Sequence, residues 1–300
     1  MTSRLSDFIP EGLAGNLADS EQSRAAVLAI EPGFHNLIGQ EEAWSSRPEA
    51  MDFLRPASPF FQLKRLSTAI YRLHFAACLD GLPRETRVLD AGCGIGRFTV
   101  ELADRFADVM AFDPCRRSLD ACRAHLAERN LSGVVLHWAD LSWLDTLPAA
   151  SFDLLFAVEL ICYVGDPELA LRRLARVSRP GARLLLSVEA KPGALTVRAA
   201  DRPGEWRRLL AGEPLLREGD CFVRLFDETS LGELLERTGW RVDSRRMSHF
   251  FGEGPFWQSL DDDRLADPVY FAEILAAEEA CRTDPRLAPW GRVLSVAAHR

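Results

Sequence analysis

Three aspartates and a run of glycines stand at regular places in the middle of this chain, and their chemistry suits holding a ligand. A short apolar strand, Arg87 to Asp90, leads straight into Asp90-Ala91-Gly92-Cys93-Gly94-Ile95-Gly96, and helical periodicity follows from Arg97 to Ala107. Glycines at such a strand-to-helix turn let the backbone bend sharply and let a ligand approach the main chain beside a helix N-terminus. The dinucleotide fingerprint GxGxxG fails: counted from Gly92 its third glycine falls on Arg97, and counted from Gly94 on Thr99. The phosphate-loop pattern GxxxxGK followed by Ser or Thr is absent as well.

Asp90 narrows the choice of ligand. A carboxylate two residues before the glycines sits at the strand's C-terminal tip, facing the crevice where ligands of open α/β sheets bind. It repels a pyrophosphate and attracts a ligand with an ammonium group and a positive sulfur, most strongly at low local dielectric. S-adenosylmethionine is such a ligand. From about Arg87 to Glu189 the sequence resembles the class I S-adenosylmethionine-dependent methyltransferases, with a weaker echo through Gly239 and the final strand. Val88 to Gly96 resembles the family's first motif, so the resemblance assigns Asp90, Gly92, Cys93, Gly94 and Gly96 to the methionine part of the cofactor. Asp113, in Ala111-Phe112-Asp113-Pro114, lies 21 residues after Gly92 and resembles the acid that binds both ribose hydroxyls, a task an ionised carboxylate can perform. Asp140 and Leu141, in Trp138-Ala139-Asp140-Leu141, match the position that meets the adenine amino group and flanks its ring. Phe152 to Glu159 and Arg179 to Leu186 match the fourth strand with its exit and the turn into the fifth.

One departure bears on catalysis. Where many relatives carry a Glu-His pair after the fourth strand, this chain has Cys162-Tyr163, so no histidine base is inherited there. Glu159 and Tyr163 are four residues apart and share a face if a helical turn forms. Tyr163 can then orient an acceptor, while Glu159 meets the cofactor's ammonium or a substrate proton. His249 follows a strand that should run parallel to the first and end at the ligand-bearing edge, which makes it the leading base candidate. His74 and His35 are further candidates; His125 and His299 read as solvated, and His137 as packing.

The elements that must position these residues follow from the same pattern. Short aliphatic runs at Asp108–Asp113, Val134–Trp138, Asp153–Ala157 and Arg183–Val188 alternate with helical segments, the sign of βαβ units. The expected fold is a doubly wound, mostly parallel sheet with an antiparallel last strand, a Rossmann-like methyltransferase fold. Asp166 and Pro167 open one helix as N-cap and first residue. Glu228–Thr238 reads as another, closed by Gly239, then a strand from Arg241, a helix at about Pro268–Arg282, and a final strand at Arg292–Ala298. Ahead of the sheet a helix is expected from Ser58-Pro59, with Phe60, Leu63, Leu66, Ile70, Leu73 and Ala77 on one face. The expected domains are therefore a helical cap over 1–82 and a cofactor-binding domain over 83–300, with substrate-covering insertions at about 191–226 and 252–289. Aromatics in the cap, Trp44, Phe53, Phe60, Phe61, Tyr71 and Phe75, divide between pocket wall and core.

Composition bounds the partners. With 47% apolar and 27% charged residues the chain has a globular make-up, and 36 basic against 44 acidic residues give a net charge of −8, which disfavours nucleic acid and anionic membranes. Seven cysteines without a CxxC pair point to reduced thiols and a cytoplasmic location. Neither a signal-peptide core nor an 18-residue apolar run is found, and no metal site is indicated. The expected activity is methyl transfer to an oxygen or nitrogen of a small, partly apolar molecule, of the kind met in secondary metabolism, and a homodimer is compatible with the sequence. A cyclisation or elimination promoted by the cofactor's charge, or an inactive partner subunit, are the alternatives.

Overall fold

The computed structural model describes residues 32–198, 203–216 and 222–300. The first 31 residues of the expected cap and parts of the 191–226 insertion lie outside the described residues. The cap that is described begins with α1 (Phe34–Ser46) and α2 (Pro48–Met51) and continues into α3 (Phe61–Leu79). The alternating unit then runs β1 (Arg87–Ala91), α4 (Thr99–Arg105), β2 (Asp108–Asp113), α5 (Arg116–Glu128), β3 (Val134–Trp138), β4 (Phe152–Val158), α6 (Pro167–Val177) and β5 (Ser178–Glu189). Next come α7 (Gly193–Arg198), α8 (Pro203–Leu210), a two-stranded ribbon of β6 (Leu215–Leu216) and β7 (Phe222–Val223), and α9 (Glu228–Arg237). The chain ends with β8 (Arg241–Ser248), α10 (Pro268–Thr283) and β9 (Val293–His299).

Seven strands form one sheet in the order β3-β2-β1-β4-β5-β9-β8. The first five pair in parallel, and β9 lies antiparallel to both β5 and β8. β8 therefore runs in the same direction as β1, as the sequence implied, but from the outer edge of the sheet. Both faces are covered, which is why the central strands read as unbroken apolar runs. Val88, Leu154 and Leu185 pack on one face with Tyr71 and Phe75 of α3 and Leu102 of α4. Leu89, Leu155, Leu184 and Leu186 pack on the other with Leu171 and Leu174 of α6 and Leu231, Leu234 and Leu235 of α9. Caps fix the helix starts: Asp166 accepts from the N–H of Leu169, and Asp227 and Ser230 form a reciprocal capping box.

Two expectations are corrected. α3 starts at Phe61, and its buried stripe is Leu66, Ser67, Ile70, Tyr71 and Phe75, whereas Phe60 and Leu73 are exposed. The stripe is rotated because the rings of Tyr71 and Phe75 dock on the sheet, where Phe75 meets Phe156 edge-on at 5.8 Å. His125, expected in solvent, is buried on α5, and its Nε2 lies 2.7 Å from Oδ1 of Asp52, tying the segment between α2 and α3 to the main domain. Among the described residues no helix is long and apolar enough to cross a membrane, and no cluster of candidate ligands that could hold a metal ion is present.

Candidate functional site

Turns at the C-terminal tips of β1, β2 and β4, the segment after β3, and α1 enclose a cavity of about 1070 Å³. This is the crevice at the carboxyl ends of the strands where β1 lies between β2 and β4, at which the chain reverses its direction of winding. Asp90, Gly92, Cys93, Gly94, Asp113, Pro114, Asp140, Leu141 and Glu159 all line it. Gly96 does not. A Cβ added there would lie 2.6 Å from Sγ of Cys122, so this glycine serves the contact between the loop and α5.

The acids form a row along one wall. Asp90 is buried, accepts a hydrogen bond from Oγ1 of Thr99 at 2.7 Å, and has no ion-pair partner among the described residues. Burial pushes its carboxyl up to about 7, opposed in part by the Thr99 hydrogen bond. Asp113 accepts the N–H of Gly94 on Oδ2 and that of Cys115 on Oδ1, both at 2.8 Å, so the acid at the tip of β2 also holds the glycine turn of β1. Burial raises it to about 6 against those two hydrogen bonds. Asp140 takes both the N–H and the hydroxyl of Ser142 on Oδ1, at 2.7 and 2.6 Å, as the cap of a short 3-10 turn.

S-adenosylmethionine carries matching groups, and the geometry fits it. Each oxygen of Asp113 keeps a lone pair for a ribose hydroxyl beyond the backbone N–H it already accepts. Asp90 has no cation beside it among the described residues, and an ammonium group would supply one. A Cβ built on Gly94 would meet nothing within 4 Å, so the turn is open toward the cavity where a ligand would press against it.

The apolar part of the lining comes from Phe34, Leu37, Met51 and Phe53 of the cap and from Leu160, Val164 and Leu169. Asn36 joins cap to insertion: its side chain donates to the carbonyl of Phe222 at 2.9 Å and accepts the Phe222 N–H at 2.8 Å. The cap was expected at the pocket, but Phe34, Asn36 and Leu37 of α1 were not singled out, because this helix has only weak apolar periodicity in the sequence.

The catalytic candidates are placed less simply. Glu159 and Tyr163 both line the cavity. Glu159 follows β4 with φ 53°, its N–H held by the carbonyl and hydroxyl of Ser187, and its carboxylate lies 3.8 Å from Nη2 of Arg97. The Tyr163 hydroxyl donates to Oε1 of Glu189 at 2.5 Å and accepts from Arg198 at 3.1 Å. Glu189 is completely buried; burial alone would raise its carboxyl, but Arg292 and Arg198 together outweigh this and hold it well below the usual range. Arg198, on α7, brings the insertion to the cavity wall. His249 is not brought to the cavity. It is 1% exposed, its ring 4.4 Å from that of Tyr71, with Nε2 3.0 Å from the Ser67 hydroxyl and Nδ1 3.0 Å from that of Ser248. A positive φ of 61° turns the residue inward at the end of β8. His74 meets Ser244 at 3.0 Å, and none of the described cavity-lining residues is a histidine.

Known proteins share this architecture. A methyltransferase domain model matches residues 61–245. An S-adenosyl-L-methionine-dependent Diels-Alderase of Talaromyces variabilis is 32% identical over 116 residues, 38% of this chain and 40% of that protein. A ubiquinone biosynthesis O-methyltransferase of Methylocella silvestris is 29% identical over 187 residues, 55% of this chain and 72% of that protein. Among the first relatives, then, the matched part ranges from less than half to about three quarters of their length. The structure of a Burkholderia thailandensis 1,6-didemethyltoxoflavin-N1-methyltransferase, with S-adenosylhomocysteine bound, superposes with a TM-score of 0.52 at 18% identity, covering 95% of this chain and 92% of that one. That likeness shows the fold, while the domain match spans more than half of the sequence and agrees with the row of acids around the glycine turn. The chain belongs to the class I S-adenosylmethionine-dependent methyltransferase family.

Proposed function

We propose that this protein transfers the methyl group of S-adenosylmethionine to an oxygen or nitrogen of a small, partly apolar acceptor. The observation that carries the reading is one cavity with two unlike sets of lining residues, the acids and glycine turn together with the apolar Phe34, Leu37, Met51, Phe53 and Leu160. At about 1070 Å³ it exceeds what one drug-sized ligand needs, so cofactor and acceptor can share it.

When bound, the cofactor supplies a methyl group already activated by positive sulfur. Asp90 would hold the ammonium end, Asp113 the ribose hydroxyls and Asp140 the adenine amino group. The apolar side chains of α1 and Phe53 exclude water and align the acceptor, the contribution such a reaction most needs from its protein. Tyr163 acts as a positioning residue, since its hydroxyl is committed to Glu189 and Arg198. Glu159 lies 3.8 Å from Arg97, and both line the cavity. Incubation with methyl-labelled cofactor and a host extract, followed by identification of the labelled compound, tests the proposal; cofactor binding with no labelled product from any extract would sink it.

A second reading keeps the cofactor and omits the transfer. It is favoured by the lack of a histidine among the described lining residues and by the similarity to a Diels-Alderase. In that case a cyclised or eliminated product forms while S-adenosylhomocysteine does not accumulate.

A further inference from the structure

Arg97 lines the cavity beside Glu159. Three further cations, Lys64, Arg198 and Arg292, are paired with Glu253 and Glu189. Lys64 is 2.5 Å from Glu253, and Glu189 receives both Arg198 and Arg292. Arg97 alone of these cations has its carboxylate beyond hydrogen-bond reach, with Glu159 at 3.8 Å. The Arg97 side chain is only 11% exposed, its Nη1 has no hydrogen-bond partner among the described residues, and its guanidinium lies 5.1 to 5.8 Å from the ring centres of Phe53, Tyr71 and Phe98. Aromatic faces steady a cation but do not replace an anion's hydrogen bonds. In the sequence this residue registered only as a missing third glycine.

We propose that Arg97 anchors an anionic acceptor, and that the acceptor is a small apolar carboxylic acid methylated on its carboxylate oxygen. This rests on the methyl-transfer reading above and names its substrate class. It also accounts for the lack of a histidine among the described lining residues. A carboxylate arrives ionised: one oxygen stays on the guanidinium while the other gives a lone pair to the methyl carbon. The carbon–sulfur bond breaks with its electron pair going to sulfur, leaving a methyl ester and a neutral thioether. No proton is released, so no residue is needed to take one. Arginine suits the role because its planar fork matches a carboxylate.

Titration calorimetry on the full chain saturated with S-adenosylhomocysteine tests this with a matched pair of probes, naphthalene-2-carboxylate and naphthalene-2-carboxamide. The carboxylate is expected to bind at least about tenfold more tightly, the worth of one charge-assisted hydrogen bond. In Arg97→Gln that preference should vanish while S-adenosylhomocysteine still binds, since Asp90, Asp113 and Asp140, which would hold it, are unchanged. Equal affinity of the two probes in the wild type, including no binding of either, overturns the proposal even if the variant fails to fold. So does a preference for the acid that survives in Arg97→Gln. Failure of S-adenosylhomocysteine itself to bind would instead bring down the methyl-transfer function, and the substrate class with it.

Discussion

The hydroxyl of Thr99 donates to Oδ2 of Asp90 at 2.7 Å, and this single hydrogen bond is all that offsets the burial of a carboxylate with no cation beside it among the described residues. The folded-state value near 7 stands against an ordinary 3.8. The folded protein therefore takes up a proton between about pH 7 and pH 4 that the unfolded chain does not, and stability from this group rises as pH falls through that window. Above pH 7 the ionised carboxylate costs up to about 4 kcal/mol. Asp90→Asn should melt higher than the wild type at pH 8, with the gap closing toward pH 4. The same variant should bind S-adenosylhomocysteine at least about tenfold more weakly, because the ammonium loses its partner. Thermal melts across pH and calorimetry at pH 8 read both effects; a variant no more stable than the wild type at pH 8 contradicts the account.

His249 should prove structural. Its ring lies between the hydroxyls of Ser67 and Ser248, and burial pushes it down to about 3, so it stays neutral through the physiological range. A folded value below the ordinary 6.5 means that its contribution to stability is present above pH 6.5 and is lost as pH falls toward 3. Asparagine tolerates the positive φ here and keeps a polar side chain. His249→Asn is expected to preserve the pH profile of methyl transfer, with kcat within about threefold, whereas His249→Ala strands two buried hydroxyls and costs about 2 kcal/mol. Loss of transfer in His249→Asn, with S-adenosylhomocysteine binding intact, would restore the histidine as base.

What could be read ahead of the structure was local. The places of Asp90, Asp113 and Asp140 at strand tips followed from short apolar runs, while the roles of Asp113 and Asp140 came from the resemblance to the methyltransferases. The direction of β8 came from the expected methyltransferase sheet. Its place beyond β9 was not legible, since strand order depends on pairings between residues far apart, such as Arg246 with Ser295, and the inward twist of His249 has no sequence sign. Glu189 marked only the end of a strand, yet it collects Tyr163, Arg198 and Arg292 from three separate segments. Contacts that join residues 26 and 103 positions apart leave no spacing to recognise.

Glu189 and Arg198 differ in what their removal leaves behind. Glu189→Gln strands the buried guanidinium of Arg292 and should cost about 3–5 kcal/mol, the usual penalty for breaking one side of a buried pair. Arg198→Met leaves Glu189 with Arg292 and Tyr163 and should cost no more than about 2 kcal/mol, the hydrogen bonds of one side chain. It does free α7, so amide exchange over Gly193–Arg198 should quicken. Urea unfolding separates the two variants; equal destabilisation would mean that Arg292 does not need Glu189.

Two glycines of the same turn should respond differently to one added methyl group. Gly94 and Gly96 both have positive φ, 55° and 88°, so alanine strains the backbone at either by about 1–2 kcal/mol. At Gly94 the new Cβ meets nothing within 4 Å, whereas at Gly96 it meets Sγ of Cys122 at 2.6 Å and Cβ of Cys122 at 3.3 Å. Gly94→Ala should fold, melt slightly below the wild type, and bind S-adenosylhomocysteine at least about tenfold more weakly, since the methyl group fills space that a ligand would occupy. Gly96→Ala should lose several kcal/mol, and adding Cys122→Ala should return part of it by removing the sulfur while the remaining Cβ stays crowded. Normal S-adenosylhomocysteine affinity in Gly94→Ala would place the ligand away from the turn, and the row of acids beside it would then need another partner.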